Sequence, residues 1–211
     1  DLIPGQYEGG LKIWECSIDL VNHFLRRTEL HSGSVLELGC GHGLPAVASL
    51  LKGCRPVVLS DFNEDVCGCL VLSGVTWPNI VRNCNTHSVP SSGTRCVAGD
   101  WLALSSELQR GYGSRKHFLV LNVPCFFDLI LSAETLYSSE SSSRLNGIIN
   151  LKVCFLCCSD IICSYYFGVG GGSMDFLNLV LQHRNLKAEV IAVFEDGSSN
   201  TREIIQVSKL R

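Results

Sequence analysis

Apolar runs of four to seven residues alternate along the chain with stretches of helical period, and glycine, proline or serine clusters punctuate them. Val35, Leu36 and Leu38 make a short, nearly continuous apolar strand, the pattern of a strand buried on both faces. A glycine turn follows at Gly39, Gly41 and Gly43. Leu44, Val47, Ala48 and Leu51 then recur at helical spacing, with Pro45 at the helix start and Gly53 placed to end it. Further strands are predicted at 56–60, 95–99 and 127–132, within 152–164, and at 188–194 and 203–207. The last two are joined by E-D-G-S-S-N-T-R and read as a hairpin. Helices are predicted at 13–27, 64–72, 75–83, 144–151 and 174–183. Segment 86–94, the serine run 138–143 and the glycine-rich 165–172 read as loops or linkers, and 105–124 as an insertion before the fourth strand. Strands alternating with helices predict an α/β fold: a Rossmann-like, seven-stranded, mostly parallel sheet with an antiparallel C-terminal hairpin and helices on both faces. One domain spanning 1–211 is expected, with 1–30 as an N-terminal extension and helix and 31–211 as the core.

The strand–glycine turn–helix of 35–53 is a nucleotide-binding pattern, because glycines let the backbone approach a ligand with no Cβ in the way. The glycines are spaced G-x-G-x-G, and Leu44 stands where the dinucleotide fingerprint would place its last glycine. Glu37 lies two residues before the first glycine, where its carboxylate would repel a pyrophosphate and suit a cation. S-adenosylmethionine carries an ammonium and a sulfonium and no phosphate, so the spacing favours it over NAD. Asp61 follows the second strand, about 20 residues past the glycines, the distance at which an acid binds a ribose diol. Asp100 and Trp101 follow the third strand and suit an adenine. Three acids, Glu37, Asp61 and Asp100, are thus expected around one cavity. Ligands in open parallel sheets bind outside the carboxyl ends of the strands, so Glu134 and Tyr137, just past the fourth strand, should face the reacting group. Trp14 and Glu15 head the first helix and read either as core and helix-start residues or as an aromatic lid and a carboxylate near the cofactor.

Composition narrows the class. A net charge of −3, with no basic run interleaved with aromatics, gives no sign of nucleic-acid binding. No apolar run reaches the ~18 residues of a membrane span. The chain opens on Asp1 without a signal-peptide pattern, and a catalytic domain cut from a longer protein is expected. The 12 cysteines sit mostly in apolar runs and read as reduced thiols of a cytoplasmic or nuclear protein. The C-x-x-C at 154–157 and the C-x-C at 67–69 do not form matched pairs, so no metal is expected.

Several motifs together resemble one family. They are P-G-x-Y-E-G-G-L-K-I-W-E-C (4–16), V-L-E-L-G-C-G-H-G-L-P (35–45), D-F-N (61–63), V-T-W-P-N (75–79), G-D-W (99–101), S-A-E-T-L-Y (132–137) and Y-F-G-V-G-G-G (166–172). The family is the eukaryotic histidine protein methyltransferases, seven-strand enzymes that use S-adenosylmethionine to methylate a histidine of a large-subunit ribosomal protein. The resemblance implies that Ile13, Trp14, Glu15, Cys16 and Ser17 lie along the cofactor and that Gly39 and its neighbours approach its methionine part. It implies that Ser60, Asp61 and Phe62 hold the ribose, that Gly99, Asp100 and Trp101 hold the adenine, and that Ser132 lines the site. The family usually has Glu where Asp100 stands. A ribosomal protein partner, a monomer, and a location in cytoplasm and nucleus, nucleolus included, are the matching expectations.

Histidine is an acceptor that needs little base catalysis, since near pH 7 its ring is mostly neutral and already nucleophilic. Glu134 is the candidate to accept a hydrogen bond from the far ring nitrogen or to stabilise the imidazolium product, with Tyr137 and Tyr166 against the ring. Competing readings are the same chemistry on lysine or a small molecule, an inactive cofactor-binding protein that docks a ribosomal or chaperone partner, and an NAD enzyme.

Overall fold

The computed structural model describes residues 10–27, 33–63, 75–101, 127–150, 160–166, 172–195, 197 and 201–210. The expected helix at 64–72, the insertion at 105–124 and most of the glycine-rich 165–172 lie outside these residues.

Seven strands form one sheet in the order β3-β2-β1-β4-β5-β7-β6. They are β1 (Val35–Leu38), β2 (Val57–Asp61), β3 (Thr94–Ala98), β4 (Leu129–Ala133), β5 (Asp160–Tyr166), β6 (Leu186–Phe194) and β7 (Arg202–Lys209). β1 to β5 run parallel, and β7 lies antiparallel between β5 and β6. The helices are α1 (Glu15–Arg26), α2 (Leu44–Leu51), α3 (Thr76–Thr86), α4 (Ser139–Asn150) and α5 (Gly172–Leu181).

Successive strand residues point to opposite faces, and the core divides accordingly. Leu36, Leu38, Val58 and Ile130 pack with Leu145 and Ile148 of α4 and Phe176 and Val180 of α5. Val35, Val57, Leu59, Leu129 and Leu131 pack with α1, α2 and α3 through Leu20, Phe24, Ala46, Leu50 and Ile80. Helices cover both faces, which is why β1 and β4 read as continuous apolar runs. Lys52 ties α1 to α2: its ammonium donates to Phe24 O at 3.1 Å and to Arg27 O. A part-buried ion pair joins α1 to the far end of the chain, Arg202 Nε donating to Asp19 Oδ2 at 2.6 Å.

Two expectations need correction. The serine run 138–143 is not a linker, because Ser139 to Ser143 form the first turn of α4. Ser141 N–H donates to Ser138 Oγ and Ser138 N–H donates to Ser141 Oγ, both at 3.1 Å. This reciprocal exchange is a capping box with serine in the place of the usual glutamate, so these polar residues satisfy a helix start. The second correction concerns 165–172, where Tyr165 and Tyr166 belong to β5 and Gly172 is the first residue of α5.

Candidate functional site

β1 lies between β2 and β4, so the chain leaves its tip toward one side of the sheet and β4's tip toward the other. A crevice opens at such a switch point. Here it is a cavity open to solvent.

Its floor is the glycine turn. Gly39, Gly41 and Gly43 have φ of 65°, 47° and 72°, the left-handed region that side chains disfavour. Close packing adds a second reason at Gly39, where a Cβ would stand 2.5 Å from Thr135 Cγ2. Thr135 cannot easily yield, since its hydroxyl is 2.6 Å from Ser132 Oγ, which also donates to Leu38 O at 3.2 Å. The tips of β1 and β4 are locked together there. The second strand contributes Asp61, 6 % exposed. Its Oδ2 accepts the Gly41 N–H and its Oδ1 the Asn63 N–H, each at 3.0 Å. From beneath, Thr76 Oγ1 donates to Gly41 O at 2.5 Å. The roof is the segment from Gly10 to Trp14 at the head of α1, where the Lys12 ammonium lies 4.2 Å from the Trp14 ring.

Ten of the sequence-assigned residues line this cavity: Ile13, Trp14, Ser17, Gly39, Gly41, Asp61, Phe62, Trp101, Glu134 and Tyr137. Glu134 has φ of 55° without being glycine, a conformation costing about 1 kcal/mol or more. Trp101 is 9 % exposed and its buried Nε1–H has no hydrogen-bond partner among the described residues.

Seven of the other assigned residues, Glu15, Cys16, Glu37, Ser60, Gly99, Asp100 and Ser132, are not among those lining it. Of the three acids expected around one cavity, only Asp61 lines it. Glu37 points from β1 to the α2 side, where its Oε2 accepts the Ala46 N–H at 2.8 Å. Burial holds its carboxyl well above the usual range; the Ala46 N–H opposes this, and the nearby Asp61 charge adds to it. Asp100 faces Arg144 of α4, with 3.9 Å between Nη1 and Oδ1, and the same guanidinium stands 5.8 Å from the Phe62 ring centre. Cys16 is fully buried in the core beside α2, while Glu15 is exposed. Ser60 is buried, its hydroxyl without a partner among the described residues, and Gly99, at φ 135°, donates its N–H to Asp61 O at 2.9 Å. Ser132 is buried beneath Thr135. Tyr166 ends β5 opposite Arg202, and its side chain is outside the described residues.

Lys12, His42 and Thr135 also line the cavity, and sequence reasoning did not single them out. His42 sits inside the glycine turn and Thr135 beside Glu134, so adjacency to the motifs was the available signal. Among the described residues no group of three potential metal ligands occurs, and the cysteines at 16, 40, 54, 84 and 96 are buried.

No protein-family model matches the chain. It is 35 % identical over 214 aligned residues to the histidine protein methyltransferase 1 homolog of Dictyostelium discoideum, covering 99 % of this chain and 60 % of that protein. It is 35 % identical over 210 residues to the homolog of Rattus norvegicus, covering 93 % and 56 %. The chain thus spans little more than half the length of these relatives. Among solved structures, magnesium protoporphyrin IX methyltransferase from Synechocystis PCC 6803, crystallised with bound SAM, superposes with a TM-score of 0.60 at 12 % identity, over 92 % of this chain and 78 % of that one. By sequence the chain is similar to the histidine protein methyltransferases over nearly all of its own length, and its fold is one that S-adenosylmethionine-dependent methyltransferases share.

Proposed function

We propose that this chain is the S-adenosylmethionine-dependent domain of a protein-histidine N-methyltransferase, acting on an imidazole nitrogen of a large-subunit ribosomal protein. One observation carries the reading: the glycine-floored cavity at the β1/β4 switch point is lined by both Asp61 and Glu134. The residues fit the cofactor. Two carboxylates against the single Lys12 ammonium, among the described residues, suit a cationic ligand without phosphate. Gly39 and Gly41 leave room for close backbone approach, and the Trp101 Nε1–H has a donor to offer.

S-adenosylmethionine supplies a methyl group bonded to a positively charged sulfur, hence electrophilic. The chain's part is positioning, which by itself provides much of the acceleration in such a displacement. Asp61 lines the cavity at the tip of β2 and is placed to accept from ribose hydroxyls. Phe62 and Trp101 offer flat apolar surface for the base. Glu134, held at positive φ, lines the cavity with its Oε2 buried. An acceptor imidazole enters neutral, with one nitrogen free to attack and the other carrying a proton. Glu134 accepts from that N–H, which selects the attacking nitrogen and offsets the positive charge that develops on the ring. Tyr137 packs beside it. A monomer working in the cytoplasm and nucleus, nucleolus included, is the setting that a ribosomal protein substrate favours.

The test is incubation with a labelled methyl donor and a lysate lacking the endogenous enzyme, followed by mass spectrometry of the labelled residue. Label on a histidine of a large-subunit ribosomal protein supports the reading. Label confined to lysine moves the chain to the protein-lysine reading, and cofactor binding without transfer moves it to a docking protein.

A further inference from the structure

The V-T-W-P-N motif stands apart from the cavity wall, yet two of its side chains hold the glycine turn. Thr76 donates to Gly41 O. Asn79 Nδ2 lies 3.0 Å from His42 Nδ1 and 3.5 Å from His42 O. Because the amide nitrogen can only donate, His42 Nδ1 accepts and the ring proton sits on Nε2. That nitrogen is 2.9 Å from Leu11 O, 31 residues away in sequence. The bonds run in one direction: Asn79 donates to His42, and His42 donates to the backbone of the roof. The roof packs closely as well, since a Cβ on Gly41 would come within 3.2 Å of Gly10 O.

We propose that His42 is a positioning residue, and that with Asn79 fixing its tautomer it latches the Gly10–Trp14 segment over the cavity and so sets how long the cofactor stays bound. The inference rests on the cavity being the cofactor site. The segment runs into α1 at its C-terminal end, and the His42 bond to Leu11 O ties its earlier part to the glycine turn. Both partners lie on the surface side of the turn, where His42 is partly exposed. The latch therefore makes and breaks without disturbing the core, and one hydrogen bond of ordinary strength is the scale of its effect.

Two substitutions separate the halves of the latch. In His42→Gln the amide nitrogen reaches the place of Nε2 and can still donate to Leu11 O. In His42→Asn it reaches only the place of Nδ1, toward Asn79. Dissociation of S-adenosylhomocysteine, followed by stopped flow, should be about five- to tenfold faster in His42→Asn and in His42→Ala. His42→Gln should restore most of the wild-type residence time. In the ligand-free protein, amide hydrogen exchange across 10–14 should rise in His42→Asn and His42→Ala and not in His42→Gln, while the melting temperatures of all three stay together. Equal behaviour of the Gln and Asn variants, in either direction, overturns the latch. Asp61→Ala is the control for the cavity itself. If it binds S-adenosylhomocysteine as tightly as wild type, the cavity reading fails; if it loses binding while the His42 variants match wild type, the latch alone fails.

Discussion

Gly39→Ala tests the packing of the site most directly. Two costs add. At φ of 65° an alanine gives up about 1–2 kcal/mol relative to glycine. Its Cβ would stand 2.5 Å from Thr135 Cγ2, whereas carbon atoms settle at roughly 3.5–4.0 Å, so one partner must move by about 1 Å. Thr135 is 4 % exposed and bonded through its hydroxyl to Ser132, so moving it strains a packed neighbourhood by about 1–3 kcal/mol. The expected loss is about 2–5 kcal/mol, read as a lowered urea midpoint at unchanged slope. The two costs can be separated. Thr135→Ser removes the offending methyl and keeps the hydroxyl, so in the Gly39→Ala background it should recover the clash and leave the backbone cost. A double-mutant cycle over the two positions should show a coupling of about 1 kcal/mol or more. Additivity within about 0.5 kcal/mol would refute the claim that Thr135 is what excludes a side chain at position 39.

Other expectations follow the same geometry. Glu37 has its folded pKa raised well above 4.5, chiefly by burial, so the folded state holds a proton that the unfolded state releases. Its stability contribution is complete below about pH 4.5 and declines as pH rises through the folded value. Glu37→Gln keeps an oxygen for the Ala46 N–H and should gain on wild type as pH rises, measured by urea midpoints across the range; parallel curves would refute the assignment. Glu134→Gln should lower methyl transfer by roughly 10²-fold or more with S-adenosylhomocysteine affinity retained, and full turnover would remove Glu134 from the mechanism. Gly172→Ala would put a Cβ 2.5 Å from Leu136 O and 2.7 Å from Ser138 O. Backbone cannot swing aside as a side chain does, so a loss of about 1–3 kcal/mol is expected by thermal melting, together with weaker transfer because Tyr137 lies between those two carbonyls in sequence. A melting temperature equal to wild type would show that α5 docks differently.

Local pattern in the sequence determined the elements and their order. Apolar runs, the G-x-G-x-G turn and the helical spacing of Leu44, Val47, Ala48 and Leu51 act over a few residues, so they could be read before any contact was known. The site's place followed, because parallel strands feeding a glycine turn leave their crevice at the strand tips, and Asp61, Phe62, Glu134 and Tyr137 stand at those tips. Spacing along the chain could not say which way each side chain turns. β1 is buried on both faces, so its apolar run carried no alternation to show that Glu37 belongs to α2 and not to the cavity. The serines of 138–143 looked like linker because capping is a reciprocal geometry, invisible in composition. Only the tertiary structure brought His42 to Leu11 and Ser132 to Leu38, across 31 and 94 residues, since contacts at such separations depend on the register of strands and the docking of α1, which no short stretch encodes.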